Sequence, residues 1–386
     1  METMTAPASA QDGVNLDAGD SFSRYAARVC QASYKNSRYI EVTDRSQGLF
    51  RGPRTCRHRH LALDCEFSLE SDGNGTKPII TTAAFAHADS GADLFAMTGM
   101  DSIRYGGKPL VLVNQLDVSS LGKPGDESFV LFCTMMSGLG VVAQNQHVVL
   151  LKGETAEMSV CVASENPDAP TKYNWCGTMY SVFHENALIT GDKASPGQVV
   201  IALWDGGLRA NGGSSARKAF SMRYGREWWS TAEKQDLRAA AVPSALYENF
   251  LANLNGWDDL KDGVPQPKIK IHGIAHITGG GIPSKFFGDF LKPRGLSAEL
   301  PNLFTPPRIM ERFAEWCEIS GKEPYEIWHG GQGALVVVEE ADAVSVLAQA
   351  AHFGISAQKA GEITMSEVPT LKITSKFPGG GELTWP

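Results

Sequence analysis

The sequence predicts an α/β protein of two domains, and three observations carry that expectation. Its 386 residues exceed the length over which one hydrophobic core keeps growing. Apolar runs of strand length alternate with stretches of helical periodicity, the plan of mixed sheets packed against helices. At ENALITGDKASPGQ (185–198) polarity rises and Gly and Pro break the pattern, which divides the chain into an N-terminal domain over 13–185 and a C-terminal domain over 186–375.

Taken in order, GVNLDAG (13–19) precedes a helical pattern in which Phe22, Tyr25, Ala26, Val29 and Cys30 recur every three or four residues. DRSQGLFRGPRTCRHRH (44–60) breaks all periodicity and reads as a loop rich in Gly and Arg. LALDCEFSLESDG alternates apolar and polar positions, as a half-buried strand ending at Asp72-Gly73 does. AAFAHADSGADLFAMTGMDSI reads as one or two helices, VLVNQLDV as a strand, FVLFCTMMSGLGVVAQNQ as a helix and VVLLKGETAEM as a strand, with another near 177–184. Beyond the boundary, VVIALW is a strand, the stretch from about Ser214 to Ser221 a helix, and the region around Trp228, Trp229, Leu246 and Phe250 partly helical. IKIHGIAHITGGG runs from strand into a triple-glycine turn; IPSKFFGDFL and RIMERFAEWCEIS read as helices. GALVVVEE is a strand, ADAVSVLAQAAHFG a helix and EITMSEVPTLKITS a final strand pair.

Composition narrows the function. A net charge of -8 with no long basic run argues against nucleic acid as the main partner. The apolar runs noted as longest, VVIALW and ALVVVEE, fall short of the ~20 residues a membrane helix needs, so a chain free of the membrane is expected. Seven cysteines without a CxxC pair read as reduced thiols of a cytoplasmic protein, and Cys56, His58 and His60 in CRHRH lack a second ligand pair at zinc spacing.

Five turns, each read as following a strand, carry residues suited to an anion and a cation. SDGNGTK (71–77) joins Asp72, a possible cation ligand, to Gly73, Gly75, Thr76 and Lys77, whose backbone and side chains could cradle an anion; a plain hairpin tip is the other reading. LKGETAEM places Glu154 and Glu157 beyond a strand end, where they could share a metal or open a helix. Asp101 in GMDSIRYGGKP is a third acidic candidate. GLRANGG offers Arg209 and Asn211 to a phosphate, and AHITGGG offers His276 and Thr278 before three glycines.

These strings, with HGGQGALVVV at 329–338, resemble the AIR synthetase (phosphoribosylformylglycinamidine cyclo-ligase) family in content and order over about residues 13–365. The resemblance implies two AIR-synthetase-like α/β domains, with the N-terminal sheets of two subunits joined in a homodimer and ATP in a cleft lined by both domains. It implies a purine-biosynthesis reaction: formylglycinamidine ribonucleotide and ATP give aminoimidazole ribonucleotide, ADP and phosphate. Carried over by position, Asp72, Asp101 and Glu154 would hold Mg²⁺ and the ATP phosphates, while Gly73, Gly75, Thr76 and Lys77 would form the anion turn. Asn211, His276 and Thr278 would face the nucleotide or the ribonucleotide substrate.

The chain also departs from the family's pattern. RSQGLFRGPR stands where the family has a GGFGG-like loop, Arg209-Ala210-Asn211-Gly212 replaces His-Ser-Asn-Gly, and Asn74 replaces a small apolar residue. Two rival expectations follow: another phosphoryl-transfer enzyme of the superfamily, or a catalytically silent nucleotide-binding relative. Selenophosphate synthesis is disfavoured, because the first cysteine, Cys30, lies inside a helical pattern.

Overall fold

Strand pairing in the computed structural model, which describes residues 16–47 and 52–386, sorts the chain into two principal sheets. Strands β1 (Ile40–Asp44) and β2 (Arg54–His58) form a small antiparallel ladder of their own. The first principal sheet contains β3 (Glu66–Gly73), β4 (Lys108–Val118), β5 (Val149–Glu157) and β6 (Tyr173–Phe183) in the order β3-β6-β4-β5. All its pairs are antiparallel except β4–β5. After β7 (Val199–Trp204) and the two-residue strands β8 (Leu260–Lys261) and β9 (Val264–Pro265) come β10 (Ile271–His276), β11 (Ser297–Leu300), β12 (Gln332–Val338), β13 (Ala357–Thr364), β14 (Leu371–Thr374) and β15 (Glu382–Trp385). The second sheet runs β10-β12-β7-β13-β11-β14-β15 and is mixed, since β11 and β14 are parallel.

Helices cover the sheets as the apolar periodicity requires. Leu16–Ser33, Ser90–Ile103 and Glu127–Asn145 pack on one face of the four-stranded sheet, where Phe22, Phe95, Phe132, Leu139, Leu112 and Trp175 form a shared core. The last of these helices is long and apolar enough to cross a membrane, contrary to the short runs noted in the sequence, but here Phe132, Met135 and Leu139 are buried. The seven-stranded sheet is covered on both faces. One core joins Val200, Ala202, Leu335 and Val337 to helix Gly213–Tyr224 and the π-helix Pro283–Leu291. The other joins Ile201, Leu203, Val336 and helix Ala343–His352 to Val111, Val149 and Ile103 of the first sheet's layer, so it spans the seam between the two units.

Three local expectations change. CRHRH is not all loop: Arg54–His58 is strand, paired from Ile40↔His58 to Asp44↔Arg54, because ladder hydrogen bonds need no apolar alternation on a solvated ribbon. Residues 48–51 of that stretch, and Gly13 to Asn15 of GVNLDAG, lie outside the described residues. Strand β3 stands where the alternation put it, yet Phe67 and Leu69 point outward, 64% and 60% exposed. Glu154 and Glu157 lie within β5 rather than beyond its end, because β5 extends alongside β4 as far as Val118↔Glu157.

Candidate active site

The junction at the seam is built from turns that follow strands β3, β7 and β10. After β3, Asn74 is buried and its amide donates to Ser90 O at 3.1 Å and Ser90 Oγ at 2.9 Å, which pins the Gly73–Thr76 turn to the start of helix Ser90–Ile103. Helix Lys77–Ala83 then begins at once, with Pro78 in its first turn. Gly75 (φ +55°) must be glycine-like in backbone, and a methyl group there would lie 3.2 Å from Ala210 O. A methyl at Gly213 would lie 2.8 Å from Thr76 Oγ1, and one at Gly279 would lie 3.6 Å from Asn211 Oδ1. Three turns separated by up to about two hundred residues thus meet: Gly73–Thr76, Ala210–Gly213 and Thr278–Gly281.

Two of the three predicted acidic residues lie near this junction, Asp72 beside Gly73 and Asp101 close enough to sense the Asp72 charge. Asp101 lies one turn beyond Met97 on helix Ser90–Ile103, and the Asn211 amide reaches Met97 Sδ at 3.5 Å. Burial first, then the neighbouring Asp72 and Glu70 carboxylates, raise the Asp101 carboxyl above its ordinary range, while Arg104 and Lys285 pull it down. Asp72 is raised as well, by burial, and its Oδ1 accepts the Gly73 N–H at 2.6 Å. A cation placed where Asp101 senses the Asp72 charge would lower the cost of ionising it. Arg104, which reaches Asp101 at 3.7 Å, and Lys285 were missed in the sequence. The first had a signal, since it follows Asp101 by three residues on one helix; the second had none.

Glu154 stands apart. The rows Asp72↔Gly177, Asn114↔Gly177 and Asn114↔Gly153 cross the whole sheet, so β3 and β5 are opposite edges, three strand spacings or roughly 14 Å apart. Asp72 and Gly153 share a face by this register, and Glu154, one residue on, takes the other. A shallow 710 Å³ cavity across the sheet touches Asp72, Glu154, Cys176 and Thr178, and Glu154 also borders a 560 Å³ cavity beneath helix Leu16–Ser33. Among the described residues, no three of His, Cys, Asp and Glu gather as a metal-binding group. Glu157 is engaged elsewhere, its Oε1 accepting the Leu121 N–H at 2.7 Å.

Two basic groups are committed to structure. Lys77 is 1% exposed and donates to Asp93 Oδ1 at 2.7 Å and Val242 O at 2.6 Å, so its ammonium holds the seam together instead of facing an anion. The cause is local: Asp93 sits in the first turn of helix Ser90–Ile103 and also accepts from Ser244 N and Oγ, at 3.0 Å and 2.7 Å. Arg209 is wholly buried against Asp205. His276, at the end of β10, is buried beside it, and burial followed by the Arg209 charge lowers its pKa well below the usual imidazole value. Thr278 is half-buried, and its carbonyl accepts the Gly281 N–H at 2.9 Å to close the triple-glycine turn.

The chain is similar to several known proteins. No family model matches the chain. It is 27% identical over 372 residues to the phosphoribosylformylglycinamidine cyclo-ligase of Picosynechococcus sp., covering 92% of this chain and 97% of that one. It is 27% identical over 337 residues to the enzyme of the same name from Methanocaldococcus jannaschii, with coverages of 82% and 85%. Among solved structures, hydrogenase maturation protein HypE in complex with ATP superposes with a TM-score of 0.55 at 16% identity, over 86% of this chain and 87% of that chain. Thiamine-monophosphate kinase from Stenotrophomonas maltophilia gives 0.57 at 11% identity, over 90% and 95%. The fold is therefore the AIR-synthetase-like one, and the sequence likeness runs through most of the chain.

Proposed function

We propose that this chain, a divergent relative of the phosphoribosylformylglycinamidine cyclo-ligases, is an ATP-dependent ligase that closes the imidazole ring of aminoimidazole ribonucleotide. The observation that carries the reading is the meeting of the three glycine turns beside Asp72 and Asp101. Backbone N–H groups of such turns suit phosphate oxygens. A magnesium ion would neutralise those oxygens, and Asp72 and Asp101 are the carboxylates that fit it; Glu154 is too distant in the same chain to complete that set.

The chemistry follows from leaving-group ability. The formyl oxygen of formylglycinamidine ribonucleotide attacks the γ-phosphorus of ATP and ADP departs, which gives an iminophosphate. The neighbouring amidine nitrogen then attacks the activated carbon, the C–O bond breaks, and phosphate leaves with that oxygen. The protein's share is alignment and charge stabilisation: Arg104 and Lys285 supply positive charge near Asp101, while Asn211 and Thr278 hold the nucleotide or substrate from the second unit. A homodimer through the open face of the four-stranded sheet belongs to the same proposal, since it would cover Phe67 and Leu69, and so does a cytoplasmic location.

Incubation with ATP, Mg²⁺ and formylglycinamidine ribonucleotide tests the reading. ADP and a product with imidazole absorbance are expected. Asp72→Asn should reduce turnover by about a thousandfold with the unfolding midpoint unchanged, in line with loss of one electrostatic group. ATP binding without turnover on this amidine would favour a silent relative.

A further inference from the structure

The bend after β7 carries backbone strain that its sequence does not announce. Arg209 and Ala210 adopt φ of +49° and +52°, the left-handed region, which residues bearing a Cβ rarely enter even singly. Two in succession persist only where the surroundings hold them.

The Arg209 side chain is that hold. Its Nη1 donates to Asp205 Oδ2 at 2.7 Å and to Ala245 O at 2.9 Å. Its Nε and Nη2 converge on His276 Nε2, at 3.2 and 2.9 Å, and the guanidinium lies 5.0 Å from the centre of the Tyr247 ring. Gly333 leaves the space for this packing, since a methyl there would come within 3.1 Å of Arg209 Cδ. The Arg209 carbonyl, in turn, accepts the Asn211 amide at 2.9 Å.

A guanidinium donates and never accepts, so His276 Nε2 must offer a bare lone pair, and the ring proton sits on Nδ1. A proton on Nε2 would oppose two N–H groups. The charged and titratable groups facing the imidazole are Arg209, Arg104, His329 and Lys285; the nearby carboxylate, Asp205, is bound to Arg209.

We infer that Arg209 is a positioning residue: it holds the strained bend that sets Asn211 beside Gly279, and it fixes His276 as a neutral imidazole protonated on Nδ1, a hydrogen-bond donor rather than a proton-transfer base. The activity arm of the test rests on the ATP-dependent ligase reading; the spectroscopic arm does not.

In the full-length protein labelled with ¹⁵N-histidine, two-bond proton–nitrogen correlation reports the tautomer, with the His276 signal assigned by its loss in His276→Gln. Nε2 of the unprotonated type, unchanged from pH 5.5 to 8, is expected; an Nε2–H tautomer or a titration within that range would overturn the inference. Arg209→Lys keeps the charge and loses the fork. It should free Nε2 to carry the ring proton, which moves the signal toward the Nε2–H tautomer, lower kcat about tenfold with an altered pH profile, and leave the KM for ATP within about threefold. An unchanged spectrum and pH profile in this variant would remove Arg209 from the role. His276→Ala should lose about a hundredfold in turnover, and His276→Gln, whose amide both accepts and donates, should recover at least about tenfold of that loss. Equal inactivity of the two would rule out the donor role.

Discussion

The two principal sheets meet the same requirement in different ways. In the seven-stranded sheet, β7 and β12 are covered on both faces, and every residue from Val199 to Leu203 and from Ala334 to Val338 is buried. In the four-stranded sheet, helices cover one face, and the other leaves Phe67, Leu69 and Val113 in the open. A strand buried twice over reads as an unbroken apolar run. A strand buried once reads as an alternation that does not say which set of side chains turns inward.

Substitutions can sharpen this contrast, beginning at the seam where the sheets join. Lys77→Met should remove about 3–5 kcal/mol of stability by stranding Asp93, as measured by urea denaturation; a loss under about 1 kcal/mol would mean that the seam does not depend on this pair. Ile201→Ala, in the doubly covered sheet, should cost about 2–5 kcal/mol by the same measurement. Glu248, buried beside Gly99, has its carboxyl pushed up to about 7 by burial, with its own backbone N–H, Arg209 and Lys108 pulling the other way. Its folded value lies above the ordinary 4.5, so its contribution to stability is full below about pH 4.5 and is lost as pH rises through 7. The stability of Glu248→Gln relative to the parent should therefore increase by on the order of 3 kcal/mol between pH 4.5 and 8, and a pH-independent difference would contradict the burial. Leu69→Ser on the open face should change the stability of the folded subunit by no more than about 0.5 kcal/mol. Sedimentation tests the proposed homodimer: this variant should shift toward monomer, and an unchanged association state would remove this face from the proposal.

The same contrast explains what could be read from the residues. VVIALW, GALVVVEE and the amphipathic RIMERFAEWCEIS all formed the expected elements, because a continuous or helical apolar pattern has one sensible burial. The short strands β11 and β15 carry too few residues for a period to show. At the site, the turns were legible from their glycines, and the junction of three of them agrees with the motif order. The partners of the charges were not legible: Lys77 pairs with Asp93 across sixteen residues and Arg209 with His276 across sixty-seven, distances at which no local pattern operates. Glu154 shows a further limit, since the resemblance of a motif says nothing of which edge of a sheet its strand occupies.

The tie between Lys77, Asp93 and Ser244 limits how this molecule can move. It links the start of one helix, the first turn of a second and the loop before helix Glu248–Leu254, while a continuous apolar core runs beneath them. Among the described residues this tie and that core join the two units, which resists their swinging apart. For the ATP site proposed above, adjustment around a bound molecule then falls to the turns, where Gly75, Gly280 and Gly281 hold positive φ and can rotate at small cost.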